Sequence, residues 1–145
     1  MQLDSDGDEL RLVHLPDDMT PLHAFESPTG TFVVSHVNTQ LEPWQYHISE
    51  VNTAGEVLRQ FSGSRLSSLG ETPHVAVDSQ GNVFLADYHK DHILLLNSQL
   101  LLRRVVFDQH QLNYKPPQRL CYREQTGQLL VGLGYSVAVF GVLHQ

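Results

Sequence analysis

Apolar residues recur along this chain in short runs of four or five, broken by clusters of turn-forming residues, a pattern that predicts β-strands. Three runs, Thr31-Phe-Val-Val-Ser35, Asn82-Val-Phe-Leu-Ala86 and Gln128-Leu-Leu-Val-Gly132, each follow a turn carrying Gly30, Gly81 or Gly127. They are apolar on both faces, as strands are when a layer covers each side. The turns Ser27-Pro28-Thr29-Gly30 and Ser79-Gln80-Gly81-Asn82 supply a glycine that tolerates positive φ and side chains that bond the local backbone, so they read as tight hairpins. Further strands follow at Tyr46–Val51 with Glu56–Phe61 and at His92–Leu96 with Leu100–Val106. A buried helix over His92–Val106 competes with that reading. The turn Asn97-Ser98-Gln99 decides against it, because it falls where Asn52-Thr53-Ala54-Gly55 turns the previous copy.

Thr20-Pro-Leu-His-Ala-Phe-Glu-Ser-Pro-Thr-Gly-Thr-Phe-Val-Val-Ser35 aligns with Thr72-Pro-His-Val-Ala-Val-Asp-Ser-Gln-Gly-Asn-Val-Phe-Leu-Ala86 through a single one-residue gap, and Pro117–Gly132 forms a third copy. Phe25, Val77 and Tyr122 then coincide, 52 and then 45 residues apart, the first interval lengthened by an insert around Leu41-Glu42-Pro43-Trp44. Such periods match propeller blades of roughly 40–50 residues. The expectation is an all-β chain of three four-stranded blades, at about 16–61, 62–106 and 107–142 plus 1–15, forming one domain. Ala24, Ala76 and Cys121 from the first strands, with Val34, Leu85 and Val131 from the second, are the expected core. The ends fit a split blade: Leu3–Val13 resembles the turn and fourth strand at Val51–Leu58, whereas Ser136–Phe140 matches only a third strand.

Composition refines this picture. The chain has 145 residues, 41% of them hydrophobic and 17% charged, as in globular proteins. No run approaches the roughly 18 apolar residues of a membrane span, and the start, Met1-Gln2-Leu3-Asp4, is acidic where a leader would be basic and then apolar. A single cysteine, Cys121, cannot form an internal disulfide, so a cytoplasmic setting is the expectation. The net charge of −7 opposes nucleic acid and anionic lipid on average. Its distribution is uneven: acids dominate residues 1–18, whereas Arg103, Arg104, Lys115, Arg119 and Arg123 face only Asp108 in residues 103–123.

Within the middle copy, Pro73-His-Val-Ala-Val-Asp-Ser-Gln-Gly-Asn-Val-Phe-Leu-Ala-Asp87, followed by His92-Ile93 and an apolar third strand, resembles an NHL repeat. That repeat reads Pro-x-Gly-Ile-Ala-Val-Asp-x-x-Gly-Asn-x-Tyr-Val-Ala-Asp and then Asn-x-Arg-Ile. The flanking copies depart from it, with Ser35-His36 and Gly132-Leu133 at the Ala-Asp pair. The resemblance implies a β-propeller that serves as a non-catalytic platform for a protein ligand, or for single-stranded RNA where a face is electropositive. It also implies that binding uses the loops between second and third strands and those leading into first strands.

Those loops carry Trp44, Tyr46, Tyr88, His89, Lys90, Tyr114, Lys115 and Tyr135, the candidate partner-binding residues. Exposed aromatics suit this role because they bury much area at low entropic cost. The competing reading packs Trp44 and Tyr46 beneath their own loop. Candidate RNA-binding residues are Arg103, Arg104, Lys115, Arg119 and Arg123.

Other chemistry is weaker. His89 and His92, with His36 as a third ligand, have a metal-like spacing, but no Cys/His framework repeats, so no metal or cofactor is expected. Asp4-x-Asp6-x-Asp8 opens like a calcium loop but places Glu9 at the required Gly and Leu15 at the bidentate Glu. Cys121 reads as a buried, inert thiol. Nucleophile elbows and phosphate loops are lacking, and a propeller hydrolase or lyase would have only His23, Glu26, His74 and Asp78 to draw on. Three blades do not close a ring. Either further residues of a longer chain complete a six-bladed ring or a second copy does, and for the chain alone the expectation is a two-fold homodimer in which Glu9–Leu15 of one chain completes the blade ending at Val137–Val142 of the other.

Overall fold

Four of the turns between paired strands share one backbone frame. At Asn52, Asp78 and Asn97 the side-chain oxygen accepts backbone N–H bonds from residues two and four further on, at 2.9–3.0 Å. Each of these residues also accepts through its carbonyl from the residue three on, Gly55, Gly81 or Leu100, all of which have positive φ. Ser27 makes the same backbone frame with Gly30 and Thr31. Asx chemistry thus satisfies the turn and sends the chain back antiparallel.

The structure is a computed structural model that describes residues 2–3, 9–41, 44–61, 74–87 and 91–142. Its elements are all strands: β1 (Gln2–Leu3), β2 (Glu9–Arg11), β3 (Thr20–Glu26), β4 (Phe32–Asn38), β5 (Gln45–Val51), β6 (Val57–Phe61), β7 (His74–Val77), β8 (Val83–Asp87), β9 (His92–Leu96), β10 (Leu102–Phe107), β11 (Arg119–Arg123), β12 (Gln128–Leu133) and β13 (Ser136–Gly141). They form a small β1–β2 pair and three antiparallel sheets ordered β3-β4-β5-β6, β7-β8-β9-β10 and β11-β12-β13. Among the described residues no helix is long and apolar enough to cross a membrane.

The three sheets stack face to face. Val33, Val37, Tyr46 and Ile48 of the first meet Val75, Leu85, Leu94 and Leu96 of the second in one buried cluster. Ala76, Phe84, Ala86 and Leu95, on the other side of the second sheet, meet Leu120, Leu129, Val131 and Leu133 of the third. The second sheet is therefore covered on both faces, which accounts for its doubly apolar strands. The innermost strands β3, β7 and β11 are successive neighbours. A bond from Ser79 N to Glu124 Oε2 (3.1 Å) ties the first hairpins of the second and third sheets. All first hairpins consequently gather at one end of the stack, and the ends of β4, β8 and β12 gather at the other, here called the link end.

Two expected core residues are exposed. Ala24 lies on the outer face of the first sheet, opposite Val34, and Cys121 lies on the outer face of the third, opposite Leu130. No sheet packs on either face among the described residues. The strand register also corrects the repeat alignment. Glu26 pairs with Phe32 as Val77 pairs with Val83, so the two turns match residue for residue. The extra residue sits instead at the bulge between Pro21 and His23, which makes Phe25, not Ala24, the counterpart of Ala76 and Cys121. Ala76, Val34, Leu85 and Val131 are buried.

The amino-terminal segment also differs from expectation. Its strand ends at Arg11, and Val13 and Leu15 turn onto the outer face of the first sheet, where Leu15 packs with Met19, Phe32, Val34 and Val51.

Candidate functional site

At the link end, the β4–β5 connection presents Trp44, 47% exposed, and the β12–β13 turn presents Tyr135, fully exposed. The link from β10 to β11 adds Tyr114, 59% exposed, and the exposed Lys115. Asn113 and Tyr114 both have positive φ in that link, and the Tyr114 hydroxyl shares a 2.5 Å hydrogen bond with His110 Nδ1, which fixes the ring. Leu112 anchors the link by filling the space between the second and third sheets. The surface is thus aromatic, with rigid supports beneath it.

Tyr46 is not part of this surface. It pairs with Val37 on the face of β5 that meets the second sheet and is only 4% exposed, so its ring belongs to the core. Strand alternation placed it inward, which its sequence neighbour Trp44 conceals. Tyr88, His89 and Lys90 lie outside the described residues.

The basic candidates do not form one patch. Arg103 and Arg104 are exposed on β10, the outermost strand of the second sheet, whereas Arg119 and Arg123 are on β11, the innermost strand of the third. Three strand spacings across a sheet amount to about 14 Å. Lys115 stands apart on the link.

Histidines cluster elsewhere. The His23 and His74 rings lie 4.1 Å apart, at equivalent positions on β3 and β7, and Arg119 holds the same position on β11. Burial, His23 and Arg119 lower the His74 pKa to about 4, and burial followed by Arg119 lowers that of His23. On the outer face of the first sheet, His36 Nε2 bonds Ser49 Oγ at 2.7 Å, and burial and the neighbouring His47 lower its pKa to about 4 against the opposing pull of Asp18. Neutral imidazoles result. The Nδ1 atoms of His23, His36 and His47 are buried without a hydrogen-bond partner.

The residues considered for hydrolase or lyase chemistry do not converge. Asp78 holds its own turn, the His23 and His74 rings lie against each other at a 36° tilt, and Glu26 lies on the outer face of the first sheet. His92 pairs with Asp87 at 3.0 Å, while His36 is held by Ser49 on another sheet. Among the described residues no three His, Cys, Asp or Glu side chains gather as metal ligands would. The sequence reading passed over the line of His23, His74 and Arg119. A register that places the irregularity at Leu22 would have revealed it.

No family model and no curated protein matches the chain. A crystal structure of a protein of unknown function from Bacteroides caccae is similar, with a TM-score of 0.57 at 19% identity over 94% of this chain. The chain spans 47% of that protein's length. The likeness is one of fold.

Proposed function

We propose that this chain is half of a six-bladed β-propeller of NHL-type blades and acts as a non-catalytic binding module for a protein ligand. Three stacked sheets with adjacent innermost strands have the order that propeller blades require. A similar solved chain of about twice the length is consistent with a half ring. The observation that carries the functional reading is the exposure of Trp44, Tyr114 and Tyr135 together at the link end. Anchors of this kind dominate protein interfaces. The separation of Arg103 and Arg104 from Arg119 and Arg123 disfavours a continuous RNA track, and the net charge of −7 opposes one.

Panning a displayed peptide library on the chain tests this reading. Enriched peptides are expected to lose at least about tenfold in affinity with Trp44→Ala or Tyr135→Ala, and to be unaffected by Arg103→Ala with Arg104→Ala. Peptides insensitive to the aromatic changes would contradict it. So would tight binding of poly-uridine that persists at high salt.

A further inference from the structure

The stack ends in two unlike faces, and the internal junction shows what each lacks. Between the second and third sheets, Phe107 at the end of β10 stacks on Phe140 of β13, with ring centroids 4.1 Å apart. The register makes Val51 the counterpart of Phe140, since Phe32 pairs with Val51 as Leu129 pairs with Phe140. Val51 is also capped, by the cluster to which Leu15 belongs. Leu15 therefore stands where the end of a preceding sheet's fourth strand would stand, and Val13 lines the same groove. Among the described residues no strand lies beside Leu15 over the rest of that face, and the groove exposes Ala24.

At the opposite end the third sheet has three strands among the described residues, and β13 is its open edge. Its outer face exposes Cys121, Val137 and Val139. Each end thus holds what the other needs. Charge agrees as well. Arg119 and Arg123 are exposed on the third sheet's outer face, at the link end and the hairpin end of β11. On the first sheet's outer face, Asp18 lies at the link end, close enough to act on His36 and His47, and Glu26 lies at the hairpin end of β3.

We infer that a second copy of this chain docks its third sheet into the groove beside Leu15, with Cys121 against Ala24, Arg119 towards Asp18 and Arg123 towards Glu26, and that the reciprocal contact closes a two-fold ring. The inference rests on the half-propeller reading above. In it the Val13–Leu15 segment stays packed on its own chain and offers an edge to the partner's β13. The contact is isologous overall, because two identical junctions are related by the two-fold axis. It removes both apolar faces and the open β13 edge together.

Ala24→Cys is expected to give a disulfide-linked dimer under mild oxidation through Cys121 of the other copy. The same two positions cannot be bridged within one chain, because the whole second sheet separates them. A charge exchange covers the case in which that variant folds poorly. Glu26→Arg or Arg123→Glu alone should weaken self-association roughly tenfold, and the pair should restore it. A control in a Cys121→Ser background bridges Ser79→Cys to Glu124→Cys with a short bis-maleimide, which reports whether the second and third sheets are stacked. Formation of the control bridge with neither the 24–121 dimer nor a charge-exchange effect would overturn the inference and leave the stacked reading standing. Failure of the control bridge would overturn both.

Discussion

The backbone N–H of Leu120 donates to Nδ1 of His74 at 3.0 Å, so a neutral imidazole on the second sheet closes a hydrogen bond to the first strand of the third. A protonated Nδ1 cannot accept that bond. His74 and His36 both have folded pKa values of about 4 against 6.5 for an unperturbed histidine, and those of His23 and His47 are lowered too. Between pH 6.5 and 4 the unfolded chain therefore binds more protons than the folded one. Stability is full above pH 6.5 and falls as the pH drops through that window. The melting temperature is expected to fall by roughly 5–10 °C from pH 7 to pH 4.5. The drop should shrink in a His36→Gln, His74→Gln double variant. A flat profile in the parent chain would show that burial does not hold these imidazoles neutral in the folded chain.

Leu85 faces the first sheet from the centre of the second and is wholly buried. Leu85→Asp places an unpaired charge there, at a cost of at least several kcal/mol, comparable to the whole stability of a small domain. The variant should be insoluble or unfolded by circular dichroism. A cooperative melt within a few degrees of the parent would contradict the stacked core.

Leu100 sets two effects against each other. Its φ of 60° is a conformation that glycine adopts freely, yet its side chain is buried in the cluster between the first and second sheets. Glycine would relieve about 1 kcal/mol of backbone strain but lose about 3 kcal/mol of buried side chain and packing. Leu100→Gly is therefore expected to destabilise by roughly 2 kcal/mol in urea unfolding. A more stable variant would mean that strain outweighs burial at this turn.

Much of the fold was legible because turns report themselves. Gly30, Gly81 and Gly127, with Asn52 and Asn97, mark where the chain reverses, and the doubly apolar run after Gly81 marks a strand covered by a sheet on both sides, whereas the similar runs after Gly30 and Gly127 lie in sheets covered by a sheet on one side only. A bulge leaves no such mark. The extra residue at Leu22 shifted the first copy by one position, which moved Ala24 into the expected core and hid the equivalence of His23, His74 and Arg119. Cys121 was misplaced for a different reason, because local pattern cannot tell which sheet ends a stack. Of the aromatic candidates, Trp44, Tyr114 and Tyr135 are exposed as their loop positions implied, whereas Tyr46 was lost to strand alternation that began one residue earlier than its loop suggested.

Light scattering on the chromatographed chain is the most direct measurement of whether three sheets make half of a closed ring. The expected mass is twice 16.4 kDa across the peak, with no larger species. A single species of 16.4 kDa that melts cooperatively would contradict the two-copy ring, because both outer faces would then be stable in water without a partner.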